Sequence, residues 1–173
     1  MHLVSILLFC LNIYSENSTQ PKEIISVKAD ILSKGYLLDS PIKNDCYITR
    51  FEIINNEDTA VKIKLWTCSW YRNWRTNNDS IHIAVWACDS NYPESIMIPP
   101  KKSLLFLGGI YIWSKSIVKS LKIGFVNCSS VLPDISDTFP TIRYESKIFW
   151  TAPLSIKRNY PKGDNYSSEY FIK

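Results

Sequence analysis

Beyond its first fifteen residues the chain holds one histidine, His82, and four cysteines, Cys46, Cys68, Cys88 and Cys128. With the acidic residues, these are the side chains through which it could do chemistry. A Ser-His or Cys-His mechanism needs a nucleophile within hydrogen-bond reach of the imidazole and an acid that orients it. Nothing in the sequence singles out either partner for His82, which falls mid-strand opposite the Ile81, Ile83 and Val85 face. Two carboxylates alone can hydrolyse a glycoside. Here Glu52, Glu57, Asp58, Asp79, Asp89 and Glu94 sit mostly in turns, where capping and solvation account for them. The cysteines show no paired C-x-x-C spacing of a zinc site. Gly108-Gly109 leads from one strand into another and not into a helix, so it cannot cradle a phosphate. The sequence therefore assigns no catalytic residue, no metal ligand and no cofactor.

The same cysteines bear on the compartment. Leu3 to Ile13 is an apolar run of signal-peptide length, too short to span a bilayer as a helix. Residues 1–15 are expected to be a signal peptide, cleaved after Ser15 with Ile13 and Ser15 at minus three and minus one. A buried first strand or helix is the alternative reading. The chain is then secreted, periplasmic or in the cell envelope, and membrane-associated only if lipid-anchored at Cys10. In an oxidising compartment four cysteines imply two disulfides. Cys68 with Cys88 is favoured across a turn near Arg75 to Asn78, leaving Cys46 with Cys128 by exclusion; buried free thiols are the competing reading.

The net charge of +4 is spread over scattered lysines and arginines, and the isoelectric point of 8.7 falls below that of a dedicated nucleic-acid footprint. Nucleic acid is not an expected partner.

Positioning falls to strands. Ile25, Val27, Ala29 and Ile31 alternate with polar residues, as do Tyr47, Thr49, Phe51 and Ile53, then Val61, Ile63 and Leu65. Asn55 to Asp58 and Arg75 to Asp79 read as hairpin turns, because Asn and Asp bond their own main chain. Further strands follow at Ile81 to Val85, Ser95 to Ile98, Ser103 to Leu107, Ile110 to Trp113, Leu121 to Phe125 and Lys147 to Thr151. This spacing predicts an all-β fold, an antiparallel β-sandwich of about seven to nine strands, with barrel closure as the alternative. The sandwich domain is placed at 16–157 and a polar, Tyr-containing tail at 158–173, frayed or docked through Tyr160, Tyr166, Tyr170 and Phe171.

Four of the six tryptophans lie between Leu65 and Asp89, and this stretch is read as one strand, turn, strand unit. Trp66, Trp70 and Trp86 can pack over a disulfide as core. Alternatively Trp70, Tyr71, Arg72, Trp74 and Arg75 form an exposed aromatic hairpin that stacks on a sugar ring or a partner's apolar patch, with Trp74 foremost.

FEIINNEDTAVKIKLWTCSW, IHIAVWACDSNYPESIMIPPKKS, LKIGFV and IFWTAPLSI together resemble uncharacterised secreted bacterial proteins with an immunoglobulin-like β-sandwich, over residues 45–156. The resemblance implies fold and export and transfers no activity. FEIINNEDTAVKIKL is also similar in pattern to bacterial proteinase-inhibitor sandwiches, although no reactive loop is recognisable. The expected function is a non-enzymatic exported or envelope binding module whose partner is a protein or glycan surface. An inhibitor or immunity-type protein that blocks an enzyme is the alternative, with a hydrolase third.

Overall fold

The alternation beginning at Ile25 becomes β1 (Ile25–Gly35), and that beginning at Tyr47 becomes β2 (Cys46–Asn55). The computed structural model describes residues 23–38, 45–84, 92–112, 120–127, 147–156, 160–163 and 169–173. The expected signal peptide at residues 1–15, with Cys10, and Trp86, Cys88 and Cys128 lie outside them. The remaining strands are β3 (Val61–Trp66), β4 (Trp74–Thr76), β5 (Ile81–Ile83), β6 (Pro93–Ile98), β7 (Ser103–Ile112), β8 (Ile123–Val126), β9 (Ile148–Trp150) and β10 (Glu169–Ile172). All pairs between these strands are antiparallel. The chain is all-β, and its arrangement is consistent with a β-sandwich.

One layer is the sheet β1-β2-β7, whose far edge is completed by β10 against Leu104–Leu107 and by β5 against Ile110–Ile112. Across the core lie the pair β3-β6 and the three-stranded sheet β4-β8-β9. Asn73 splices these two small sheets into one row. It is 1% exposed; its Oδ1 accepts the Trp66 N–H at 3.0 Å, and its Nδ2 donates to Lys64 O at 3.3 Å and Val126 O at 2.8 Å. The chain leaves β3, makes a 3-10 turn over Trp70–Asn73, and resumes as β4 in line with it. Asn73 thus pairs the backbone groups that this detour would leave unmet.

Both Asn-rich turns differ from expectation. Asn55 to Asp58 and Arg75 to Asp79 join strands in different layers, β2 to β3 and β4 to β5, so they are arches and not hairpins. The local chemistry is the same in both roles. The buried Asn55 amide donates to Thr59 O, Ile98 O and Pro99 O while its Oδ1 accepts the Glu57 N–H. Asn78 Oδ1 likewise accepts the Ser80 N–H. Such self-bonding bends the backbone without choosing which strand it returns to.

Gly108-Gly109 does not interrupt β7, which runs unbroken through both. A Cβ on Gly108 would stand 2.8 Å from Cη2 of Trp70 in the main core; one on Gly109 would stand 2.6 Å from the Cys46 sulfur on the opposite face. The doublet therefore clears space on both faces of a central strand. The main core is aromatic: Trp70, Trp74, Phe51, Phe106 and Phe125 meet with ring centroids 4.8–5.8 Å apart. A smaller cluster of Leu37, Cys46, Ile48, Ala84 and Tyr111 lies outside β2 and β7. The bulge between Ile31 and Ser33 brings β1 to it, because one extra residue reverses the facing of the side chains beyond.

The C-terminal residues belong to the fold. Lys173 exchanges both backbone hydrogen bonds with Ser103 beyond β10, Lys162 bridges Lys34, and the Tyr160 ring meets the Tyr47 ring edge-on at 5.7 Å. Tyr166 lies outside the described residues.

Candidate functional site

The five residues expected to form an exposed hairpin separate by depth. Trp70 and Trp74 are each 2% exposed and form the centre of the core. Tyr71, Arg72 and Arg75 remain half-buried. The expectation that Trp74 is the exposed contact residue is thus corrected. Leu65 to Trp74 is not one strand: a 3-10 turn over Trp70–Asn73 intervenes, and Trp70 at its start and Trp74 at the start of β4 both pack over Phe51 and Phe106.

Arg75 follows Trp74 and, by strand alternation, faces outward. Its register partners are Gly124 on β8 and, across Gly124, Trp150 on β9. Trp74, Phe125 and Phe149 form the adjacent row, and Trp74 and Phe125 of that row are buried in the core. Arg75 and Trp150 thus flank Gly124 on the outer surface, with Cα atoms about 10 Å apart at two strand spacings.

Gly124 fixes this geometry. A Cβ there would stand 2.5 Å from Cγ2 of Ile148 and 2.8 and 2.9 Å from Cε3 and Cζ3 of Trp150. The benzenoid half of the indole is therefore seated on bare backbone, and Trp150 still presents 42% of its surface to solvent. Ile148 beside it is 37% exposed. The Arg75 guanidinium is held from the other side, its Nη1 donating to Arg72 O at 2.7 Å and Trp74 O at 2.8 Å. An indole pinned over a glycine, two strands from an anchored guanidinium in the same register row, offers an aromatic surface and a positive charge with little conformational freedom left to lose on binding. The signal for Trp150 lay in KIFWT: once Phe149 faces the core, Ile148 and Trp150 must face outward.

The cysteines divide differently from the expected pairing. Cys46 is a free, buried thiol packed among Leu37, Ile48 and Tyr111, which corrects the pairing with Cys128. Its place under Gly109 makes it a small apolar residue of the outer cluster. Burial pushes its pKa up to about 11, so it stays a neutral thiol. Cys68 is disulfide-bonded, and its partner lies outside the described residues. His82 is exposed on β5 opposite Tyr111 in register. Among the described residues no group of three His, Cys, Asp or Glu could hold a metal ion, and no helix is long and apolar enough to cross a membrane.

No protein-family model, curated protein or solved structure matches the chain.

Proposed function

We propose that the chain is a non-enzymatic exported or cell-envelope binding module that contacts its partner through the outer face of β4, β8 and β9. The observation that supports this reading most is Trp150, an exposed indole seated on Gly124 in the register row that also holds the anchored Arg75. Large aromatic residues and arginines carry most of the energy in binding surfaces, and they do so best when held in place before the partner arrives. Connectivity supports an immunoglobulin-like reading, with β1-β2-β7 in one layer and β6, β3 continued by β4, β8 and β9 in the other. Export rests on the leader at residues 1–15 and on the disulfide of Cys68, which suits an oxidising compartment.

The test is binding of the purified, oxidised protein to intact cell surfaces and isolated envelope material. Trp150→Ala and Arg75→Ala should each reduce retention. Tyr36→Ala, removing an exposed aromatic on β1's side of the molecule, should leave it unchanged. Equal retention by all three variants would remove the proposed face. Turnover on an ester, peptide and glycoside panel, lost on one acidic substitution, would replace the reading with a hydrolase.

A further inference from the structure

The two outer faces of the molecule differ in how they handle charge. On the β1-β2-β7 sheet, opposite charges are paired across strands: Asp30 meets Arg50 in register at 2.6 Å, and Lys28 stands opposite Glu52. Among the described residues the other face has no such balance. Alternation from the buried Ile63, Leu65 and Ile123 places Lys62, Lys64 and Lys122 outward with Arg75, and all three lysines are exposed. No outward position of β3, β4, β6, β8 or β9 carries a carboxylate. Among the described residues, the ion pairs Arg50–Asp30, Lys101–Asp58 and Lys147–Glu23 leave Lys62, Lys64 and Lys122 without an acidic partner. Cross-strand pairing of opposite charges stabilises a sheet, and like charges side by side work against it. A one-signed face around an exposed tryptophan is therefore complementary to an anionic partner.

We infer that this face binds an acidic polysaccharide, a chain of sugar rings bearing carboxylate or sulfate groups. The inference rests on the contact face proposed above and names its ligand. Trp150 rests the benzenoid half of its ring against Gly124 and keeps 42% of its surface exposed. The axial C–H face of a pyranose stacks on an exposed indole, while the exposed Lys122 and Lys64 meet the charges its substituents carry. An apolar protein anchor would need a pocket to enter, and the row Arg75, Gly124, Trp150 is a sheet surface with a glycine at its centre. Single-stranded nucleic acid is favoured by successive stacking platforms along a basic track. Here Trp150 is the exposed ring of its strand row and the isoelectric point is 8.7.

The test titrates the full oxidised chain with polygalacturonate, dextran sulfate, neutral dextran, polyglutamate and oligo-dT at low and physiological salt. Both acidic glycans should bind and neutral dextran should not. Trp150→Ala should weaken glycan binding at least about tenfold. Lys64→Glu combined with Lys122→Glu, at exposed positions that leave the core intact, should weaken it further and flatten its salt dependence. No binding of either acidic glycan would overturn the inference. So would polyglutamate or oligo-dT binding as tightly as the glycans, with Trp150→Ala making no difference. If Trp150→Ala abolishes cell-surface retention while no acidic glycan binds, the glycan assignment falls and the contact face stands. If Trp150→Ala affects neither, both fall.

Discussion

Replacing Trp74 by alanine should cost about as much stability as any single substitution in this fold. The ring is 2% exposed and packs against Phe51 at 5.1 Å, Phe125 at 5.3 Å and Phe106 at 5.6 Å between centroids. Truncating a buried tryptophan removes its transfer free energy and leaves a cavity, typically costing about 3–5 kcal/mol. The three ring contacts keep Trp74 off the low end of that range, at about 4 kcal/mol. A domain of this size holds only about 5–15 kcal/mol in total. With a urea slope of about 2 kcal/mol/M, the midpoint should fall by about 2 M. Trp74→Phe should cost much less, about 1–2 kcal/mol, because it keeps a ring and removes a donor that is itself unfavourable: the buried Nε1–H has no hydrogen-bond partner among the described residues. Equilibrium urea unfolding, followed by circular dichroism so that the readout does not depend on the deleted fluorophore, measures both. A fall below about 0.5 M for Trp74→Ala, with an unchanged slope, would mean that Trp74 is not core and would restore it as a surface residue.

Three further expectations concern separate parts of the molecule. Gly124→Ala should destabilise by about 1 kcal/mol, since Ile148 and Trp150 can swing outward to make room, and the Trp150 emission should shift to the red; an unchanged spectrum would show that the ring does not rest on Gly124. Asn73→Asp should cost about 3 kcal/mol or more, because a carboxylate cannot donate to Lys64 O and Val126 O; amide exchange in β3 and β8 should then rise ahead of that in β2, and uniform exchange would contradict the splice between the small sheets. Cys46 adds a pH dependence. Its thiol ionises near 11 in the fold and at its ordinary 9.0 when unfolded, so its contribution is whole below pH 9 and is lost as pH rises towards 11. Cys46→Ala should show a shallower alkaline decline than the parent, and superimposable pH profiles would refute the burial of that thiol.

Much of the strand content was legible in the sequence because period-two alternation is a direct print of a half-buried surface. β1, β3 and β6 follow from Ile25, Ile63 and Ile98 and their neighbours. Partnering was less legible. Asn55 and Asn78 bend the chain identically whether it returns to its own sheet or crosses to the other, so both arches read as hairpins. The site was misread for a related reason. Aromatic and basic residues clustered in sequence at Trp70 to Arg75 suggested a surface patch, but a single helical turn folds both tryptophans inward. The aromatic plane that does face out comes from Trp150, 75 positions away from Arg75 in the numbering and opposite it across Gly124. Registers between distant strands are set by the whole core, and no local pattern encodes them.

The division of the tryptophans between core and surface is tested most directly by acrylamide quenching of emission in the parent, Trp150→Phe and Trp74→Phe. The structure predicts that Trp150→Phe removes a red-shifted, readily quenched component while Trp74→Phe leaves that component intact. Loss of the quenched component in Trp74→Phe, with no change in Trp150→Phe, would contradict it and return the contact site to the Trp70–Arg75 segment.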